Sequence, residues 1–178
     1  MKNISVIISF KPILKHLLEV VVKSLEAGNY KKWGLNPILP PRLSDNEDYG
    51  VAAERFWNES GWSDRVQPLV PKINDWWNKF GAKFTESLSA DLKVIEPEKY
   101  YIILTPFGPG GSYNTSQSAI YVRITDPNDN LWWQRVIVHE IAHLVSVKQE
   151  NKDHARNEDR INKIVREKLE AMGMTELL

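Results

Sequence analysis

The apolar spacing of this chain changes period twice, and that change limits the folds open to it. Residues 12–27 place Leu14, Leu17, Leu18, Val21, Val22 and Leu25 on one helical face, and Gly28-Asn29 stops the run. A short helix is expected over 51–60. A longer one starts near Pro71 and runs through Ile73, Trp76, Trp77, Phe80, Phe84 and Leu88. The spacing then becomes that of strands. Residues 92–95 and 100–105 are β-branched and aromatic runs bounded by Pro97 and Pro106, and residues 119–124 alternate Ile120, Val122 and Ile124 against Tyr121 and Arg123. Helical spacing returns over 131–148, with caps offered by the segment Asp126-Pro127-Asn128-Asp129-Asn130. After a polar stretch at 149–153 it resumes along Ile161, Ile164, Val165, Leu169 and Met172, and stops at Gly173. Strands in the middle with helices on both sides predict an α+β domain.

A chain of 178 residues suits one domain and buries roughly 70% of its unfolded surface, so it needs no staples. The Pro-rich, acidic segment 34–50 is the one candidate boundary. It divides an N-terminal helical segment (1–33) from a main body (51–178), unless 1–178 packs as a single domain. Residues 1–33 then read either as a pro-segment or as a helix that completes the core. Lys plus Arg equals Asp plus Glu, 23 against 23, with no long block of one sign, which argues against a nucleic-acid partner. The absence of cysteine excludes disulfides and thiolate metal sites. The apolar run at residues 4–10 is broken by Lys11-Pro12 with no small-residue cleavage site after it, and no stretch reaches the ~20 apolar residues of a membrane span. No membrane association and a cytoplasmic location are therefore expected, with secretion still compatible with the cysteine-free composition.

Chemistry concentrates in His139-Glu140-Ile141-Ala142-His143. Residues i and i+4 of a helix share one face about 6 Å apart, so both imidazoles can meet a single Zn²⁺. Glu140 stands beside them as a carboxylate able to take a proton from a metal-activated water without ligating. The competing reading is two histidines on a half-buried helix with ordinary polar contacts.

A catalytic zinc needs a third protein ligand and one open position. If the connection at 149–153 makes the last two helices antiparallel neighbours, Glu158 comes level with His143, and Asn162, four residues on, comes level with His139. Glu158 is then the expected third ligand, and Asn162 the residue that orients the first histidine by a hydrogen bond. His154 is the rival ligand, with Asp159 or water behind it. The ordinary alternative for Glu158 is a solvated acid beside Arg160.

This pattern resembles the zincin metallopeptidases of the gluzincin type, over about residues 72–172. The segment Glu158-x-x-Ile161-Asn162-x-Ile164-Val165 is also similar to the E-x-x-A-N-x-F-A helix of the ImmA/IrrE family, with Ile161 for alanine and Ile164 for phenylalanine. Ser146 and Gln149 stand where a metzincin would carry its glycine and third histidine. The resemblance implies a zincin-like core made of a backing helix, a small mixed sheet, an active-site helix and a glutamate helix, with residues 1–33 as an extension. It also implies that the cleft follows an edge strand just before the zinc helix. Here that strand would be Ala119, Ile120, Tyr121 and Val122 with the residues that follow, and a peptide could pair with it.

The expected function is hydrolysis of peptide bonds in a protein or peptide substrate, with Zn²⁺ on His139, His143 and Glu158 and with Glu140 as general base. The alternative is a zinc-binding scaffold without catalysis. Tyr113, Tyr121 and His154 are the candidate proton donors. The glycines at 108, 110 and 111 read as a turn-rich connection in preference to a phosphate cradle, and the pairs Trp76-Trp77 and Trp132-Trp133 read as core.

Overall fold

The computed structural model describes residues 3–40, 43, 47–146 and 154–178, without the side chains of residues 154 and 155. The chain is α+β, with one small mixed sheet. Strand β1 (Asn3–Ile8) leads into helix α1 (Lys11–Glu26), a single turn α2 (Asn29–Lys32), α3 (Tyr49–Glu59) and α4 (Trp62–Val66). A long helix follows in two α-helical parts, α5 (Leu69–Trp76) and α6 (Ala82–Leu92), joined by a π-helical turn at Trp77–Gly81. Strands β2 (Lys99–Thr105), β3 (Gly111–Asn114) and β4 (Ala119–Arg123) come next, then α7 (Asn130–Ser146) and α8 (His154–Ala171). Among the described residues no helix is long and apolar enough to cross a membrane.

The sheet order is β1-β2-β4-β3, with β1, β2 and β4 parallel and β3 antiparallel to β4. The N-terminal apolar run, rich in β-branched residues, is a strand and pairs along β2 from Asn3 opposite Lys99 to Ile8 opposite Leu104. Tyr100, Ile102 and Leu104 of β2 and Ile120 and Val122 of β4 point into one core. Trp77, Phe84 and Leu88 of the long helix, Trp133, Ile137 and Ile141 of α7, and Ile161 and Leu169 of α8 fill it. A smaller core joins Leu14, Leu17, Leu18 and Val21 of α1 to Ala52 and Ala53 of α3, with Tyr30 and Phe107. Phe56 and Trp57 pack against both.

Three strand expectations change. Residues 92–95 form no strand: Leu92 ends α6, Lys93 closes it in the left-handed conformation (φ 53°), and Ile95 is fully exposed. Only Val94 and Ile95 remain between that cap and the Glu96-Pro97 step, too few residues for a ladder, and Pro97 has no N–H to give one. Residues 111–114, whose glycine and asparagine read as turn, are a strand. Asn114 Oδ1 accepts from the N–H groups of Ser116 and Gln117 and so turns the chain back into β4. The third correction concerns residues 119–124, expected at the sheet edge. β4 is internal, hydrogen-bonded to β2 on one side and to β3 on the other, so the edge beside the ligand helix is β3.

The π-helical turn sets a packing constraint that can be tested. Trp77 is fully buried and its ring lies 5.7 Å from that of Tyr100, behind the sheet. A Cβ at Gly81 would stand 2.6 Å from Trp77 Cε3. Alanine gains about 1 kcal/mol over glycine in helix propensity, whereas overpacking a core typically costs about 1–3 kcal/mol. With the neighbour an enclosed indole ring, the clash outweighs the propensity. Gly81→Ala is expected to destabilise the protein by about 1–2 kcal/mol in urea unfolding, and a neutral or stabilising result would show that the turn relaxes freely.

Candidate metal centre

Helix α7 begins where Asp129 Oδ1 accepts the Trp132 N–H at 3.0 Å, a side-chain cap of the kind the 126–130 segment offers. From there the helix runs through the core, with Trp133, Val136, Ile137, Val138, Ile141, Ala142, Leu144 and Val145 all buried. Three polar side chains go down with them: Glu140 (8% exposed), His143 (4%) and Ser146 (0%). Polar groups taken out of water this way require partners. Helix α8, anchored in the core by Ile161 and Leu169, brings Glu158 to His143, and Arg160 donates to Ser146 Oγ at 3.3 Å.

Three side chains converge. His139 Nε2 and His143 Nε2 are 3.2 Å apart; Glu158 Oε1 is 3.1 Å from His143 Nε2, and Oε2 is 3.3 Å from His139 Nε2. A first-row divalent ion with ligand bonds near 2.0–2.1 Å places neighbouring donors about 3.3 Å apart in a tetrahedron and about 3.0 Å apart in an octahedron. The N···N and N···O separations of 3.1–3.3 Å are of that size, and one ligand atom from each residue lies within 4.8 Å of the other two, so His139, His143 and Glu158 could hold a metal ion. Two imidazole nitrogens in van der Waals contact also gain from a cation shared between them, since otherwise at least one needs a proton there. Burial acts to raise the Glu158 carboxyl, but hydrogen bonds from His139 and His143 outweigh it and hold the group well below the usual carboxylate range.

The predicted residues divide. Asp159 is exposed and outside the triad. Asn162 lines the same cleft but is exposed, and among the described residues it makes no hydrogen bond to His139. One turn beyond Glu158 on α8, it reaches the cleft wall and not the imidazole. His154 opens α8 and its side chain lies outside the described residues, as does the connection at 147–153. Tyr121 is turned away from the cleft, its hydroxyl donating to Gln117 Oε1 at 3.4 Å, and burial raises its pKa. Tyr113 is in the cleft, its ring stacked on that of His143 with centroids 5.0 Å apart and planes 10° apart. Among Ala119, Ile120, Tyr121 and Val122, none lines the cleft; Gly111, Ser112 and Tyr113 of β3 do.

The glycines explain how β3 reaches this position. A Cβ at Gly110 would stand 3.1 Å from the Trp132 ring. A Cβ at Gly111 would fall on Glu140 Oε1 and lie 2.7 Å from Val136 Cγ1. The strand therefore lies directly on α7, and Glu140 is held beneath its backbone. Sequence reading treated these glycines as a turn and Trp132 as core; Trp132 is half-buried, donates from Nε1 to the Arg123 carbonyl at 2.7 Å and lines the cleft. Trp77 and Trp133 are core, as expected, and Trp76 is half-buried against that core.

The cleft itself has a volume of about 900 Å³. Its floor is α7, and its sides are β3, α8 and the apolar face of α1, where Leu17, Val20 and Val21 stand. Tyr30, Trp33 and Leu35 continue that wall. The N-terminal 35 residues thus supply both a strand of the sheet and a side of the site. Arg135 also lines the cleft, and its place is legible in the sequence, four residues before His139 on one helical face. No family model, no curated protein and no solved structure matches the chain.

Two outcomes follow from this geometry. Because the Glu158 pKa is depressed, its share of stability and of metal affinity is present above the ordinary carboxylate pKa of about 4.3 and is lost only in stronger acid. In the metal-free protein the Glu158 carboxylate should therefore stay ionised as the pH falls through about 4.3, followed by the NMR shift of its side-chain carboxyl carbon, and a midpoint at or above that value would contradict the depressed pKa. Gly111→Ala should cost about 1–3 kcal/mol in urea unfolding while metal content is retained, since the clash falls on Glu140 and Val136 and not on a ligand.

Proposed function

We propose that this protein is a zinc-dependent peptidase in which His139, His143 and Glu158 hold the metal and Glu140 acts as general base. The observation that carries this reading is the cluster of two imidazole nitrogens and the Glu158 carboxylate, with N···N and N···O separations of 3.1–3.3 Å, set in the wall of a large open cleft beside a carboxylate that is not part of it. Two imidazoles and one carboxylate, with no thiolate in the chain, are the ligand set of catalytic zinc sites that keep a position open. Two histidines and a carboxylate also suit non-haem iron. Glu140, on the ligand helix one residue after His139, favours zinc hydrolysis, because oxygen chemistry has no use for a general base there.

Zinc held by His139, His143 and Glu158 would supply Lewis acidity, lowering the pKa of a water and polarising a carbonyl. The chain's residues do the rest. Glu140, enclosed by α7 and by the Gly111 backbone, is fixed in one orientation, so its carboxylate can accept the proton of the attacking water and pass it to the leaving amine. Tyr113 packs flat on His143 and limits the tilt of that imidazole. β3 is the edge of the sheet, and its Gly111, Ser112 and Tyr113 line the cleft, so an extended peptide can add to it as a further strand. The apolar wall of Leu17, Val20, Val21 and Trp33 stands opposite, suited to an apolar side chain of that peptide.

Metal analysis together with one variant tests this. About one zinc per chain is expected, lost on His139→Ala. Glu140→Gln is expected to keep the zinc and to reduce cleavage of unfolded protein substrates by at least about 100-fold, the loss typical of a missing general base. Undiminished cleavage by that variant would remove Glu140 from the mechanism, and a zinc-loaded wild type that cleaves nothing would leave a metal-binding scaffold.

A further inference from the structure

Two arginines in the cleft have no role in holding or activating anything described so far. Arg135 of α7 and Arg166 of α8 both line it, and both are exposed. Neither forms an ion pair with a carboxylate among the described residues. Among the described residues, the acidic side chains that line the cleft are Glu140 and Glu158. Those two balance the two guanidinium groups in formal charge, so a bound divalent ion would leave the cleft with an excess of positive charge that an anionic ligand would neutralise.

Position adds direction. Glu158, near the start of α8, meets His139 and His143, whereas the Arg135 Nη2 donates at 2.9 Å to the Glu176 carbonyl, which follows the end of α8. The two helices are therefore antiparallel. Arg135, one turn before His139, and Arg166, two turns after Glu158, both lie on the same side of the triad, toward the start of α7. Trp132, Val136, Val165 and Leu177 line the cleft around them. The bond to Glu176 restrains Arg135, which lowers the ordering cost of binding through it. A planar guanidinium is also the side chain best matched to a carboxylate.

β3 gives the polarity. It lies along α7 from Gly110, over Trp132, through Gly111, over Val136 and Glu140, to Tyr113, over His143. Antiparallel pairing is the more stable per residue, and a peptide added to β3 in that sense runs the opposite way, so its C-terminal side heads toward Arg135 and Arg166. Extended chain advances about 3.3 Å per residue, and one helical turn is about 5.4 Å, so with long arginine side chains the pair is reached within about two or three residues of the triad.

We propose that Arg135 and Arg166 form an anion subsite that selects peptides bearing a carboxylate shortly after the bond to be cleaved. The inference rests on the peptidase reading for its orientation, but its ligand is defined by charge. The carboxylate can be an acidic side chain or the free C-terminus of a short peptide.

The test measures binding apart from turnover. Zinc-loaded full-length Glu140→Gln protein is titrated into fluorescein-labelled peptides and followed by anisotropy. One set of peptides differs only in a free or amidated C-terminus, and another only in Asp or Glu against Asn or Gln at the two or three positions after a common apolar residue. A preference of about tenfold or more for the carboxylate is expected in at least one set, and which set shows it identifies the source. The preference should weaken with added salt and should fall to near unity when Arg166→Gln is introduced. Arg135→Gln should act likewise; because it also frees Glu176, Arg166→Gln decides the matter if the first variant unfolds. Equal affinity for charged and neutral peptides, or a preference that survives Arg166→Gln unchanged, overturns the subsite. Cleavage by wild type without any carboxylate preference would overturn the subsite and spare the peptidase reading. Carboxylate-selective binding with no cleavage would do the reverse.

Discussion

The burial of α7 is the constraint on which the rest of this molecule depends. A helix enclosed by the sheet, by the long α5–α6 helix and by α8 would ordinarily be apolar on every side. This one carries Glu140, His143 and Ser146 into the interior. Removing such groups from water costs several kcal/mol unless hydrogen bonds or charges compensate. Glu158 meets both imidazoles and Arg160 reaches Ser146, so α8 must lie where it does for α7 to be stable. The same demand that fixes the packing of the two helices brings the three side chains together. Stability and candidate function are in this sense one requirement.

That arrangement sets the sheet as well. β3 can serve as the wall of the cleft because Gly110 and Gly111 let its backbone touch α7, and any side chain there would push the strand off Trp132 and Glu140. β4 holds β3 in place from the other side, and β2 holds β4. β1 then closes the far edge, which draws the N-terminal segment into the same sheet and places α1 along the cleft. The Gly108 turn (φ 102°) packs against Leu17 and Val21, tying the β2–β3 connection to α1. The acidic, Pro-rich segment that looks like a boundary in the sequence thus lies between parts that share one sheet and one site.

Helices were the readily legible part of the sequence. Each of the long ones carries an apolar stripe over several turns, and that periodicity is dictated by burial of one face, which no distant contact needs to supply. The strands β2 and β4 were legible for the same reason, through alternating or continuous apolar residues. β1 and β3 were not. β1 carries the β-branched Ile4, Val6, Ile7 and Ile8, but its pairing with a strand more than 90 residues away leaves no local mark, so its place in the sheet could not be read. β3 is built of Gly, Ser, Tyr and Asn, which favour turns when judged alone; its ladder with β4 and its contact with α7 override that preference. The reverse occurred at residues 92–95, where strand-forming side chains had no neighbouring edge to join.

In the candidate site, the sequence by itself determined the pairing of His139 with His143 and the adjacency of Glu140, because helical geometry alone puts them on or beside one face. It also determined that a carboxylate on the next helix could come level with them, since antiparallel helices after a short connection have little freedom of register. Tertiary structure decided the rest. It chose Glu158 among the described carboxylates near that point, set Asn162 on the cleft wall instead of behind His139, put β3 and not β4 at the edge, and stacked Tyr113 on His143. It also turned Leu17, Val20 and Trp33, distant in sequence, toward the same cavity. Periodicity reports which face of an element is buried; only packing between elements reports what that face, or the exposed one, will meet.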